Sequence, residues 1–379
     1  MKKNMNILLV RTDYIKKDNY TADYIQLSHS LQKLGHKVTL IGVNVNNKNE
    51  FGEDIILLKL PFNKRTFLVI ELTFLLPIYC IMKKINVVIV SNRIIPATFL
   101  LLLIKKLFSI KIIFDVRSIP VEEKIPWDYK EACKVAQKWY DGSTFITNGT
   151  KDFIEDSFNL KFNKYAIFTS AVNPVLFSPE ITNNVPDNIK MLTKNKLVIF
   201  YHGSISPNRG IYLILDAVNR IKSDFPQILF VSVSEANYLI TDYCNTKNYN
   251  LDGNLLLIDP VKYEQMAGYI KLADICIVPL LRIFWWEISS PLKLMEYLAM
   301  AKPIILSDIK AHQSVVPQNS KFALYFNPDI SNDLEKKLIE AIKNIDYLKN
   351  NGFQGREIVL KKYTWDCQAN ILDNFIKTL

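Results

Sequence analysis

The chain has 379 residues, 49% of them apolar and 22% charged; it is too long for one ordinary core and too apolar for a disordered segment, so two domains of roughly 150–200 residues each are expected. Its five cysteines, Cys80, Cys133, Cys244, Cys276 and Cys367, are scattered, with no CxxC pair and no Cys/His cluster, which argues against a disulfide framework or a zinc site and for a reducing, cytoplasmic setting. The net charge of +10 is uneven: residues 1–180 hold 25 Lys/Arg against 17 Asp/Glu and the remainder 22 against 20, so an anionic partner for the first half competes with a merely lysine-rich composition.

The start, "MKKNMNILLVRTDYI", has too short an apolar stretch for a signal peptide. "MNILLV" predicts a buried parallel strand, "YTADYIQLSHSLQKLG" an amphipathic helix stopped by Gly35, and "HKVTLIG" the next strand. Further strands are predicted at "INVVIVS", "IKIIFDV", "GSTFITN" and "KYAIFTSA". Between them, "TFLVIELTFLLPIYCIM" holds Glu71 and Pro77, and "ATFLLLLIKKLF" is interrupted by Lys105 and Lys106. Neither offers about 20 clean apolar residues, so both read as core-facing helices rather than spans. Their flanks, Lys64, Arg65, Lys83, Lys84, Lys105 and Lys106, also suit a helix lying at a lipid interface.

The stretch from Asn173 to Lys196 is dense in Pro, Asn and Lys, and the linker is placed at 180–196 after a first domain of 1–179. The alternation then restarts through 197–355 with "LVIFYHGS", "IYLILDAVNRIK", "QILFVSV", "NLLLIDP", "YEQMAGYIKLA", "DICIVPL" and "PIILSD". A last helix, placed at 356–379 after the break "NNGFQG", is expected to pack back on the first domain. Such a pattern predicts two Rossmann-like, doubly wound parallel sheets, with ligands beyond the carboxyl ends of the strands and a cleft between the domains.

Two strand-to-helix turns carry candidate chemistry. In "YHGSISPNRGI", Gly203 permits close backbone approach, Ser204 and Ser206 are small donors, and Arg209 stands just before a helix where a cation and free amides can hold a diphosphate. In "SSPLKLMEYLAMAKPIILSD", Ser289, Ser290 and Pro291 enter a helix whose free N–H groups suit a phosphate; Lys293 adds charge, and Glu296 suits two vicinal hydroxyls such as a ribose offers. A plain Lys–Glu pair three residues apart is the competing reading. Of the histidines, His202 beside Gly203 is placed near a ligand, while His29, His36 and His312 read as structural.

In order and spacing, "GSISPNRGI", "VKYEQMAGYIKLADICIVPL" and "SPLKLMEYLAMAKPIILSD" resemble the second domain of group 1 (family 4) glycosyltransferases of the GT-B fold. "MNILLV…LQKLGHKVTLIG", "SNRIIPATFLLLLIKKL…IIFDVRSIPVEE" and "AVNPVLFSP" are similar to the first domain, so the resemblance covers nearly the whole chain. It implies sugar transfer from a nucleotide-sugar donor to a glycan or lipid-linked acceptor, with retention at the anomeric carbon and without a bound metal, in surface polysaccharide or glycoconjugate synthesis. Residue by residue, Arg209 matches the diphosphate-binding cation, Glu296 the ribose-binding glutamate of the E-x7-E motif, and the N–H groups of Leu292 and Lys293 those facing the diphosphate. The first position of that motif is Ile288, with Glu287 one residue off register. Where many relatives read D-V-H, this chain reads Asp115-Val116-Arg117; an arginine cannot shuttle a proton but suits an anionic group of donor or acceptor. The expected catalytic set is therefore Arg117, Arg209 and Lys293, with Gly203, Ser204, Ser290, Leu292 and Glu296 completing the donor site.

Two other readings stay open: a GT-B sugar-nucleotide epimerase, with Asp115 and Glu122 as its acid/base pair, and a catalytically silent nucleotide-sugar-binding scaffold. Nucleic acid is not an expected partner, because no helix collects basic residues on one face with interleaved aromatics. The basic first half and its flanked apolar helices suit peripheral association with the cytoplasmic face of a membrane.

Overall fold

The structure, a computed structural model, describes residues 4–15, 22–44, 54–58, 65–120, 125–182 and 184–379. It divides into two compact units: Met1–Thr169 with Trp365–Leu379, and Ser170–Thr364.

The first unit is built on a parallel sheet of β1 (Asn6–Ile15), β2 (Lys37–Asn44), β3 (Ile55–Leu58), β4 (Val87–Val90), β5 (Lys111–Val116), β6 (Gly142–Phe145) and β7 (Tyr165–Ile167), in the order β3-β2-β1-β4-β5-β6-β7. Continuous apolar runs such as Val87–Val90 form its strands because both faces are covered. The covering helices are α1 (Ala22–Lys33), α2 (Arg65–Met82), α3 (Phe99–Ile104), α4 (Trp127–Trp139) and α5 (Asn148–Phe158), with a 3-10 segment at Asn92–Thr98 leading into α3.

Helix α2 buries Leu68, Leu72, Leu76 and Cys80, four residues apart, as a core-facing helix should. Its outer face departs from that expectation. Ile70, Phe74 and Ile78 are each more than half exposed, and so are Phe99, Leu103 and Leu107 on and just beyond α3. No helix among the described residues is long and apolar enough to cross a membrane.

The second unit holds α6 (Asp187–Thr193), then β8 (Leu197–His202), α7 (Ile211–Ile221), β9 (Ile228–Val233), α8 (Asn237–Lys247), β10 (Leu255–Ile258), α9 (Tyr263–Leu272), β11 (Ile275–Val278), α10 (Phe284–Glu287), α11 (Leu292–Ala299), β12 (Ile304–Ser307), α12 (Lys310–Gln313), β13 (Ala323–Phe326), α13 (Asp333–Lys343) and α14 (Ile345–Lys362). Its parallel sheet runs β10-β9-β8-β11-β12-β13. In each unit the winding reverses at one place, between β1 and β4 and between β8 and β11, and an open α/β sheet binds ligands outside the strand ends there.

Two boundaries differ from those read in composition. Residues 170–179 belong to the second unit, because Val172 N–H donates to the Tyr363 carbonyl at 2.9 Å and Arg356 Nη1 to the Phe177 carbonyl at 2.8 Å. Within the expected linker, Asp187–Thr193 forms α6. At the other end "NNGFQG" breaks nothing: Gly352 and Gly355 lie inside α14. They are there for close packing, since a Cβ on Gly352 would stand 2.0 Å from the Ala301 carbonyl oxygen and one on Gly355 2.8 Å from Leu298. The helix that joins the first unit is α15 (Trp365–Lys377), which starts nine residues later than expected. Ser30 Oγ donates to Asp366 at 2.6 Å, and buried His36 Nε2 meets Asp373 Oδ1 at 3.1 Å. His36 Nδ1 accepts from Met5 N–H, so Nε2 carries the proton and donates to that carboxylate.

Candidate functional site

The second unit gathers its predicted residues where β8 and β11 part. His202 ends β8 and Gly203 follows at φ +106°, a conformation that L side chains rarely adopt. A Cβ there would also stand 3.3 Å from Lys293 Nζ, so the glycine leaves that ammonium its room. Lys293 and Glu296 lie in the first turns of α11, which begins at Leu292 without a side-chain cap. Leu292 and Lys293 N–H are among the amides an α-helix leaves without an internal partner.

These side chains are buried yet unsatisfied. Lys293 is 9% exposed and Glu296 1%. Lys293 Nζ sits 3.6 Å above the Tyr201 ring, and it has no hydrogen-bond partner. Glu296 Oε2 pairs with His202 Nε2 at 3.0 Å, while Glu296 Oε1 and His202 Nδ1 have no hydrogen-bond partner. A buried polar group without a partner is costly, typically about 1–3 kcal/mol. Burial, together with the Arg209 charge, holds the Lys293 ammonium well below the usual lysine range, against the pull of Glu296. Burial likewise lowers His202, opposed by Glu296.

Arg209 closes the short 3-10 turn Pro207–Arg209, and its guanidinium lies 4.7 Å over the Trp286 ring. Trp286 is fixed in turn by its Nε1–H, which donates to the Asn208 carbonyl at 2.8 Å. Ser204 contributes its carbonyl to the Tyr201 hydroxyl at 2.7 Å. Ser290 is engaged with Ser170: its Oγ accepts from Ser170 N–H at 3.3 Å and its carbonyl from Ser170 Oγ at 2.7 Å. Glu287 Oε2 accepts from Lys310 N–H at 2.7 Å and so starts α12.

Two further residues lie near this cluster that sequence reasoning did not place there. Trp286 is the shelf for Arg209, and nothing local marks it. His312, read as structural, is fully buried; its Nδ1 hydrogen-bonds the Ser307 carbonyl at 2.8 Å and its Nε2 has no partner. Burial pushes its pKa down to about 4, with the Ser307 bond opposing and the Lys293 charge assisting. Its position just after a strand of a parallel sheet was the available signal.

Arg117 belongs to the first unit, where it lines a cavity of about 520 Å³ with Arg11, Arg93 and Asp115. Its Nη1 donates to the Phe168 carbonyl at 2.6 Å and its guanidinium lies 4.2 Å over the Phe168 ring. Asp115 accepts from Thr144 Oγ1 at 2.8 Å and from the Tyr24 hydroxyl, which also meets Arg11. Burial drives the Tyr24 hydroxyl well above the usual tyrosine range and raises Asp23, against the pull of Arg11 and Arg117. Glu122, Lys64 and the Arg65 side chain lie outside the described residues. No group of three or more His, Cys, Asp or Glu that could hold a metal ion occurs among the described residues.

Residues 196–344 match the family described as Glycosyl transferases group 1. An uncharacterised glycosyltransferase of Methanocaldococcus jannaschii is 23% identical over 232 residues, 54% of this chain and 59% of that protein's length. A glycosyltransferase from Rickettsia africae superposes with a TM-score of 0.78 at 15% identity, covering 99% of this chain and 98% of that one. The sucrose-phosphate synthase of Thermosynechococcus elongatus gives 0.79 at 15% identity and 99% coverage of both. Anabaena HepE, solved with UDP, gives 0.76 at 11% identity, covering 99% of this chain and 100% of that one. The match to the group 1 glycosyltransferase family is thus confined to residues 196–344, the chain spans about three fifths of the length of the curated relative it matches, and its two parallel-sheet units have the GT-B fold.

Proposed function

We propose that the protein transfers a sugar from a nucleotide-sugar donor to a glycan or lipid-linked acceptor in surface polysaccharide or glycoconjugate synthesis. The observation that carries this reading is the buried cluster beside Gly203, in which Lys293 Nζ makes no hydrogen bond and Glu296 faces only His202, 3.0 Å away. A nucleoside diphosphate supplies what each lacks: phosphate oxygens for Lys293 Nζ and the α11 amides, and vicinal hydroxyls for Glu296. Arg209, on its Trp286 shelf, adds a second cation. As the glycosidic bond breaks, negative charge grows on the leaving phosphate, and these fixed donors stabilise it as it forms, without a metal ion in this reading. With retention at the anomeric carbon, the departing phosphate itself takes the acceptor's proton, so no dedicated base is required. The acceptor side is assigned to Arg117 and its cavity, and a lipid-linked acceptor places the protein peripherally on the cytoplasmic face of a membrane.

HepE was also solved with UDP-glucose, and an E. coli trehalose-6-phosphate neighbour (TM-score 0.73, 13% identity) with UDP-2-fluoro glucose, so UDP and its sugars come first in a ligand panel. In calorimetry, Glu296→Gln should weaken UDP binding by about 1–3 kcal/mol. Unchanged affinity would mean that the carboxylate is structural. The scaffold reading retains one support, Glu287 turned to Lys310 beside Ile288; binding without transfer or hydrolysis of any sugar nucleotide would favour it. The epimerase reading has to use Asp115 while Thr144 and Tyr24 hold it, and interconversion of a sugar nucleotide without transfer would favour it.

A further inference from the structure

The first unit carries a second cavity that the donor chemistry does not use. It measures about 740 Å³ and lies between the start of α2, the segment leading into α3, and the first half of α4. Val69, Ile95, Phe99, Leu102, Trp127 and Val135 give it an apolar wall. Phe99 and Trp127 are 62% and 76% exposed, a large aromatic area left in water at its mouth. The apolar surface continues outward along Ile70, Phe74 and Ile78 of α2 and Leu103 and Leu107, at helical spacing. Soluble proteins rarely leave so continuous an apolar patch uncovered unless something binds there. Exposed Lys83, Lys84 and Lys106 follow the carboxyl ends of the two helices that carry it, and none of them makes an ion pair among the described residues. Lys105 is not counted with them, because its Nζ is committed to Asp141 at 3.0 Å and to the Trp139 carbonyl.

The groove also adjoins the cavity of Arg117. Asn92, Arg93, Asp128 and Tyr129 line both. Arg93 is exposed and makes no ion pair among the described residues, so a guanidinium stands where the apolar wall gives way to the polar one. A molecule that fits both parts has a hydrocarbon chain and an anionic head.

We propose that this groove binds the hydrocarbon chain of a lipid-borne phosphate or diphosphate acceptor, whose head enters the adjoining cavity between Arg93 and Arg117. The inference deepens the reading above and rests on it, because it names what the acceptor side holds. These lysines complement the anionic lipid surface from which such a chain would be drawn.

Titration calorimetry with n-butyl, n-octyl and n-dodecyl phosphate, each below its micelle-forming concentration, tests it, with inorganic phosphate as the head-group arm. Each methylene that enters the groove should tighten binding by up to about fourfold, until the groove is full. Inorganic phosphate should bind at least about tenfold more weakly than the dodecyl ester. The double variant Phe99→Ser, Trp127→Ser changes two exposed residues and should flatten the series. Arg93→Gln should weaken every alkyl phosphate without changing its dependence on length. As a measurement on the unaltered chain, 12-bromododecyl phosphate should quench tryptophan fluorescence, and Trp127→Phe should remove that quenching. Affinity independent of chain length, equal binding of inorganic phosphate, or an unchanged series in the double variant would overturn the proposal. UDP binding measured on the same sample separates the two readings: intact UDP binding with a flat alkyl series removes the groove alone, whereas the reverse removes the donor site alone.

Discussion

The His312 imidazole offers a quantitative test of the buried polar cluster. It is fully buried, its Nδ1 is bonded to the Ser307 carbonyl, and its Nε2 has no acceptor for a second proton. Its pKa is pushed down to about 4, from 6.5 in the unfolded chain. Between these values the unfolded state holds a proton that the folded state refuses, so stability is present in full above about pH 6.5 and falls as pH drops toward 4. The slope is about 1.4 kcal/mol per pH unit, and the whole loss is about 3 kcal/mol. His202, lowered in the same direction, adds to the trend, and the carboxylates titrate across it. A variant is therefore needed to isolate the one group. His312→Asn keeps a donor at the place of Nδ1 and removes the titration. Urea unfolding of both proteins, followed by circular dichroism at several values between pH 7 and pH 4.5, gives the difference directly. The wild type should lose stability relative to the variant by about 2–3 kcal/mol over that range, whatever constant offset the substitution adds. A difference that stays flat with pH would show that the ring takes up its proton freely, and that the cluster is open to water.

Lys293→Met should act in opposite directions on stability and binding. Removing an unpaired buried ammonium should stabilise the ligand-free protein by about 1 kcal/mol or more, while UDP affinity falls at least about tenfold. Gly352→Ala should cost about 2 kcal/mol or more in urea unfolding, because its Cβ would stand 2.0 Å from the Ala301 carbonyl oxygen; a loss below about 0.5 kcal/mol would mean that α14 shifts freely.

The sequence by itself determined the parallel sheets, because strands covered on both faces must be continuous apolar runs and helices between them must alternate. It also located the turns at Gly203 and Leu292, where a strand end and a helix start meet in a few residues and the chemistry is local. What it left open depends on partners distant along the chain. "NNGFQG" has the composition of a break, yet it continues α14, because only packing against Leu298 and Ala301 shows what the missing Cβ atoms are for. Lys105 looks like one more flanking cation until Asp141, thirty-six residues away, claims it. His312 and Trp286 join the site only because the strand ends of one sheet bring four segments together. Helix α2 reads as apolar throughout, and periodicity cannot say whether its second face has a cover; the fold buries Leu68, Leu72 and Leu76 and leaves Ile70, Phe74 and Ile78 outside. Local pattern fixes what an element is, whereas burial and pairing are properties of the surface it meets, which forms only when the chain has folded.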